Sequence, residues 1–417
     1  VVKRAPVPGV GVLGVCRCYL RDTSSTGSSI VGCGAQASLV GVCMPTRDLP
    51  VSILGGSNPA PHPLLPRFCR STARYPHPFS FGRGVQARVS MSETQIPRRP
   101  LGTTGLEVSV IGFGASPLGS VFQEIDEDEG VASVHEAVSL GINFFDTSPF
   151  YGITRSEQVL GRALKDIPRE KIVIATKVGR YGPEEFDFSA DRVTASLSES
   201  LKRLNLEYVD IVHCHDIEFG DLDQIVNETL PALLKLKQQG LTRFIGITGL
   251  PLKIFKYVID RVPPGTVDVV LSYCHYSLND RSMADIIPYM KEKGIGVINA
   301  SPLSMGLLTS QGPPPWHPAP PEVKAACRSA HEACDSKGAN LAKLAIMDAL
   351  RNEDIATNLV GMCTTEQVRG NVETAMQAVG AASNPEAQRD DEALKAVMEV
   401  LKPISGVTWA SGKPENN

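Results

Sequence analysis

Four side chains in the sequence fit one another chemically: Asp146, Tyr151, Lys177 and His215. A phenol with an ordinary pKa of about 10 is a poor acid or base at neutral pH. A neighbouring ammonium stabilises its phenolate, and Lys177 is the candidate neighbour, with Asp146 to hold the lysine charged and oriented. His215 can hydrogen-bond a substrate oxygen and help to move its proton. Such a set suits hydride transfer at a carbonyl or an alcohol, where the protein handles a proton and a cofactor handles the hydride. Plainer explanations exist for single members. Asp146 stands before Thr-Ser as a turn or cap residue does, and Tyr151 stands before Gly152 as loop packing does. Lys177 is odder, because it ends an apolar strand pattern while lysines ordinarily snorkel to a surface. His213 and His215 could be two metal ligands, but no third ligand at suitable spacing accompanies them, so no metal is expected.

Asp146 and Tyr151 lie five residues apart across the bend in NFFDTSPFYG, a spacing that neither helix nor strand turns to one side. Only a scaffold that brings several chain segments to one place unites the four. Apolar strand patterns recur at VIGFG, INFFDTS, IVIATKVG, VDIVHCH, RFIGITG, VDVVLSY, GVINAS and NLVGMC. Helical patterns follow each strand, at 129–140, 156–165, 190–205, 226–239, 252–262, 283–293, 322–337 and 366–379. A further helix is expected at 385–401. Eight such units in about 300 residues suit an α/β fold, a closed (β/α)8 TIM barrel. RRPLGTTGLEVSV before the first strand reads as a short N-terminal β-hairpin. An open doubly wound sheet would carry GxGxxG after its first strand, whereas Gly112 and Gly114 run into Ala115, Ser116 and Pro117. In a barrel the strand ends form the working face. Asp146, Lys177 and His215 close the second, third and fourth strands, turned inward by period two together with Phe144, Ala175 and Ile211.

Composition narrows the partners. The formal net charge is −4. Residues 1–90 hold ten basic and two acidic side chains, leaving a body of net −12, which argues against nucleic acid. No run of 18 apolar residues exists to cross a membrane. The ten cysteines divide five and five about Met91, and the later five have no zinc-ligand or CxxC spacing, which suits free thiols in a reducing compartment. Residues 1–90 are rich in Pro, Gly, Ser and Arg and lack sustained periodicity. They are expected to be a disordered extension, either upstream sequence translated ahead of Met91 or a transit-like segment, with the folded barrel spanning 91–417. The expected compartment is the cytoplasm, or the chloroplast if the extension is a true transit peptide. A monomer or a homodimer fits equally.

The runs RRPLGTTGLEVSVIGFG, FFDTSPFYGITRSEQVLGRAL, IVIATKVG and YVDIVHCHD resemble the aldo-keto reductase superfamily, over essentially all of 97–381. The resemblance implies that Asp146, Tyr151, Lys177 and His215 are its catalytic tetrad, with Tyr151 transferring the proton. It implies cofactor contacts from Ala115, Ser116, Asp146, Thr248 and Tyr273. Ser301, Leu303 and Gly306 would lie along the pyrophosphate, and Gly361, Met362, Cys363, Gln367 and Asn371 around the adenosine. Within the superfamily the match is to plant aldose-oxidising members. That implies NAD-dependent oxidation of an aldose at C1, foremost L-galactose to its 1,4-lactone on the route to ascorbate. NAD is expected rather than NADP, because many NADP-preferring relatives carry Lys near Gly361 and Arg near Gln367, although Arg369 stands close. An aromatic that commonly stacks on nicotinamide falls at Ala300, and Tyr273 replaces a common Gln. Two other readings remain: an NADPH-dependent aldehyde or ketone reductase, and a non-catalytic cofactor-binding regulatory subunit.

Overall fold

The computed structural model describes residues 95–417; the expected extension over residues 1–90 lies outside them. Strands β1 (Arg98–Pro100) and β2 (Glu107–Ser109) form an antiparallel hairpin. Eight parallel strands then close in chain order: β3 (Ile111–Gly114), β4 (Phe144–Asp146), β5 (Val173–Val178), β6 (Val209–Cys214), β7 (Thr242–Gly249), β8 (Val269–Tyr273), β9 (Gly296–Ala300) and β10 (Thr357–Gly361). β10 pairs with β3, so the barrel has no edge.

The strands are buried on both faces, which is why they read as apolar runs rather than alternations. Phe144, Val173, Ala175, Ile211, Val269, Leu271, Ile298 and Leu359 fill the interior. Leu101, Leu106 and Val108 of the hairpin join that cluster and plug one end. Burying each large member contributes about 1.5–3 kcal/mol. The intervening positions, such as Phe145, Ile174 and Val212, face outward into the layer beneath the helices.

The helices of the outer ring are α1 (Glu127–Ser139), α2 (Arg155–Leu164), α3 (Ala190–Leu204), α4 (Leu222–Gln224), α5 (Leu230–Gln238), α6 (Lys253–Ile259), α7 (Ile287–Glu292), α9 (Leu341–Leu350) and α10 (Thr365–Ala378), with α8 (Pro321–Asp335) and α11 (Ala387–Leu401) outside it. A π-helical turn at Ile225–Thr229 joins α4 to α5. Asp126, Ser189 and Thr364 cap α1, α3 and α10 with side-chain oxygens.

One expectation is corrected. The amphipathic helix expected at 322–337 forms as α8, but it does not complete the ring. α8 and α11 build a second core with Val323, Cys327, Ala330, Ala393, Val397 and Leu401. The ring position belongs to α9, whose sequence LAKLAIMDAL is apolar nearly all round. α9 is squeezed between both cores, with Leu341 and Leu344 in one and Ile346, Ala349 and Leu350 in the other. Burial on opposite sides removes the polar stripe that periodicity detects.

Candidate active site

β4, β5 and β6 deliver three of the four candidate residues because their register leaves each at a strand end. Asp146 pairs across to Ala175, and Lys177 pairs to His213, two residues before His215. Lys177 is 1 % exposed and donates to Asp146 Oδ1 and to the Thr147 carbonyl at 2.9 Å. Its ammonium stands 4.8 Å from the centre of the Tyr151 ring. The Tyr151 and His215 rings meet edge to face with centroids 5.7 Å apart. The structure therefore gathers all four at one mouth.

Local packing explains how Tyr151 returns over the acid that ended its strand. The turn is held by the Tyr151 amide on the Ser148 carbonyl, 3.1 Å, and the Thr154 amide on the Pro149 carbonyl, 2.7 Å. Gly152 has φ +63° and lies so close to Gly119 that a Cβ would sit 2.0 Å from the Gly119 carbonyl oxygen. Only glycine tolerates both conditions. The start of α2 is then pinned: Ser156 Oγ donates to the Ala115 carbonyl at 2.7 Å, and Glu157 accepts from Thr176 at 2.6 Å and Arg203 at 2.6 Å.

The electrostatics differ in one respect from the sequence reading. Burial alone would lower Lys177, but Asp146 and Tyr151 outweigh it and hold the ammonium charged. Burial raises the Tyr151 phenol above its ordinary value, and the attraction of Lys177 offsets this only in part, with Asp146 and Asp216 adding to the rise. Desolvation thus wins over the expected acidification. Burial also drives His215 down to about 3, against the pull of Asp216 and with the push of Lys177 and Arg180, so the imidazole is neutral. Ser148 Oγ accepts from the Phe150 amide at 3.1 Å and lies 3.0 Å from His215 Nδ1. With Asp216 Oδ2 3.6 Å from Nε2, this network favours the tautomer with its proton on Nε2.

Three further residues at this mouth were not singled out from sequence. Asp216 follows His215 directly and Arg180 follows Gly179 at the end of β5; both belong to segments already suspected of chemistry. Arg180 Nη1 bonds Asp216 Oδ2 at 2.5 Å, and its guanidinium lies 3.9 Å over Phe150, with Phe186 and Phe219 at 5.1 Å. Phe186 and Phe219 stack at 4.5 Å, joining the loops after β5 and β6. The third is Glu218, wholly buried, whose Oε1 receives the Leu250 amide at 3.1 Å, Ser411 at 2.9 Å and Tyr273 at 3.4 Å. Burial pushes its carboxyl up to about 8, with Asp216 adding to the shift. A carboxyl raised in the fold gives stability that is full below its ordinary value of 4.5 and is lost as pH climbs through about 8. Glu218→Gln should melt near the wild type at pH 5 and several degrees above it at pH 9. Parallel melting curves across that range would show that this carboxyl does not titrate.

The residues expected to hold a cofactor fall at the ends of β3, β4, β7, β8, β9 and β10 and in the segments that follow them. Ala115 is buried at the end of β3 and Ser116 starts a 3-10 turn. Tyr273 ends β8, paired in register with Ala300. The loop after β9 is a run of left-handed residues, with Ser301 at φ 55°, Ser304 at 47°, Met305 at 50° and Gly306 at 98°. Three of its amides are already engaged, Ser301 on the Leu359 carbonyl at 3.2 Å, Ser304 on the Ser301 carbonyl at 2.8 Å and Gly306 on the Leu303 carbonyl at 3.1 Å, so the stretch expected along the pyrophosphate is held in a fixed shape. His317 of the Pro-rich loop anchors this stretch through Nε2 to the Ser304 carbonyl, 3.0 Å, and exposed Trp316 lies 5.9 Å from Phe122. Gly361 is exposed at the end of β10, and Asn371 is half-buried on α10.

Some of these residues are already engaged. Thr248 Oγ1 accepts from the Asp216 amide at 2.9 Å and lies 3.3 Å from its carboxylate. The side chains of Met362 and Cys363 are packed in the layer under the helices, and the Met362 amide donates to the Gly114 carbonyl at 3.3 Å. Gln367 Oε1 accepts from the Cys363 amide at 2.9 Å. The N-terminus of α10 is not free for phosphate, although a helix dipole favours an anion there: Glu129 takes the Thr365 amide at 2.7 Å and its hydroxyl at 3.0 Å. Cys214 is buried away from the site with its thiol pushed up to about 12, and Cys363 is also raised by burial, so neither is an activated thiol. A surface cleft of about 670 Å³ lined by Asp221, Lys253 and Tyr257 excludes the four central residues and mixes both charges. Among the described residues no helix is long and apolar enough to cross a membrane.

Comparison with known proteins agrees with this geometry. The model of the Aldo/keto reductase family matches residues 110–380. The chain is 59 % identical over 327 residues to L-galactose dehydrogenase of Arabidopsis thaliana, covering 78 % of this chain and 100 % of that protein. It is 32 % identical to D-arabinose 1-dehydrogenase of Saccharomyces cerevisiae, covering 70 % and 91 %. Among solved structures, the holo form of an aldo-keto reductase from Bacillus halodurans superposes with a TM-score of 0.59 at 28 % identity, covering 77 % of this chain and 99 % of that one. The chain belongs to the aldo/keto reductase family, oxidoreductases that act on alcohol and carbonyl groups with a nicotinamide cofactor.

Proposed function

We propose that the protein oxidises an aldose at C1, with L-galactose as the foremost substrate and its lactone as the product, in the biosynthesis of ascorbate. The observation that carries the reading is the buried Asp146–Lys177 pair beneath Tyr151 and His215 at one barrel mouth. The 59 % identity to the Arabidopsis enzyme supports the choice of sugar. The anomeric hydroxyl lies between the Tyr151 phenol and His215 Nε2 in this reading. His215 donates a hydrogen bond to the reacting oxygen and stays neutral. Tyr151 takes the hydroxyl proton by general base catalysis, and Lys177 stabilises the phenolate form that does so. A bound nicotinamide supplies the hydride-accepting carbon.

NAD is the cofactor this site supports. Arg369, the one cation that kept NADP open, donates to Glu136 at 2.6 Å. Glu129 at the start of α10 adds a carboxylate that can accept from ribose hydroxyls and repels a phosphate. The reduced state of the buried cysteines suits the cytoplasm, with the enzyme acting as a monomer or homodimer. A panel of D- and L-aldoses, assayed by cofactor reduction, should give the highest kcat/KM with L-galactose, and with NAD at least about tenfold above NADP, as expected for an unmet charged contact. Absence of turnover with every aldose would end the proposal, and a clear NADP preference would end the cofactor assignment.

A further inference from the structure

Asp216 is built into the site in a way that the proton chemistry does not require. It holds a left-handed backbone, φ 50°, which non-glycine residues adopt at a cost. That turn folds its side chain back over the residue before it. The result is a carboxylate oxygen, Oδ2, 3.6 Å from His215 Nε2, too far for a hydrogen bond between them. Arg180 and Thr248 grip the carboxylate from the other sides, at 2.5 and 3.3 Å. The aromatic rings of Phe150, Phe186 and Phe219 hold the guanidinium in place. Burial would raise Asp216, but the Arg180 guanidinium bonded to it outweighs burial and keeps the carboxyl ionised.

Nε2–H is therefore a donor and Oδ2 an acceptor standing side by side, each with room for one more partner. Vicinal hydroxyl oxygens of a sugar lie about one hydrogen-bond length apart, a spacing that matches such a pair. The reacting oxygen needs a donor, which His215 provides. A neighbouring hydroxyl needs an acceptor for its own proton, which Asp216 provides. A simple alcohol or aldehyde has no second hydroxyl to give that carboxylate, which then keeps only its bonds to Arg180 and Thr248.

Resting on the aldose reading above, we propose that Asp216 recognises the C2 hydroxyl of the substrate, with Arg180 holding the carboxylate in place. This pair makes the site select a sugar over a plain alcohol. A site built to bond a hydroxyl discriminates strongly against the analogue that lacks it.

The test compares kcat/KM for L-galactose and 2-deoxy-L-galactose, with the full chain and saturating NAD, in wild type, Asp216→Ala and the isosteric Asp216→Asn. A hydrogen bond to a charged group should give wild type a preference for the parent sugar of on the order of a hundredfold. In Asp216→Ala the preference should collapse to a few-fold, because L-galactose loses far more than the 2-deoxy sugar beyond any slowing that both share through His215. Asp216→Asn should fall between. Equal slowing of both sugars in both variants assigns Asp216 to positioning His215 alone and overturns the inference. Wild-type turnover without preference overturns it as well, while leaving the aldose reading intact. Wild-type inactivity on both sugars sinks that reading and this inference together.

Discussion

Tyr151→Phe should lower kcat by about 10²- to 10⁴-fold, the range that a positioned proton-transfer group contributes, and should leave the Kd for NAD within a few-fold of wild type. The phenol oxygen is the only atom removed, and the ring keeps its contact with His215 and its place over Lys177. Turnover and fluorescence titration of the cofactor on the same preparation separate the two quantities. The wild type carries a second signature. Burial holds the phenol above its ordinary value, so its proton-accepting form grows with pH throughout the neutral range. Oxidation should therefore accelerate from pH 6 to pH 9, and the residual rate of Tyr151→Phe should lack that climb. A variant that turns over like wild type would remove Tyr151 from the mechanism.

Lys177→Met should be inactive and also unstable, and the two effects have different origins. Asp146 is 3 % exposed and Oδ2 has no partner. Burial raises its carboxyl against the pull of Lys177, so loss of the ammonium strands a charge or forces its protonation. Breaking a buried pair in this way costs about 3–5 kcal/mol, whereas replacing both members by apolar residues is often neutral. The double variant Lys177→Met with Asp146→Leu should therefore recover most of the lost melting temperature and none of the turnover. Thermal melts of the two single variants and the double complete a cycle. Simple additivity of the losses would show that the pair does not couple. Recovery of turnover in the double variant would show that the ammonium is not needed for chemistry.

These expectations were partly legible before any coordinates. The eight strands were readable because each is buried on both faces and therefore apolar throughout, and turn chemistry separates them. Inward parity of Asp146, Lys177 and His215 followed from period two, and the interior cluster holds their parity partners Phe144, Ala175 and Ile211. α9 escaped because a helix squeezed between two cores loses its polar stripe, and α8 took its place by pattern although it packs on α11. The cofactor loops were readable as turns, yet the engagement of Thr248, Gln367 and the α10 N-terminus by neighbouring side chains was not.

The sequence by itself determined what the protein could be made of: a parallel barrel and four mutually suited groups at the ends of adjoining strands. Periodicity and residue type are local properties, and local properties suffice for both. Only the tertiary structure decided how those groups behave. It set burial against the charge of Lys177 at Tyr151, and burial prevailed. It turned Asp216 back beside His215 through a left-handed residue and fixed it with Arg180 from the segment after β5. Desolvation and contacts between distant segments depend on what surrounds a side chain in space, which no spacing along the chain records.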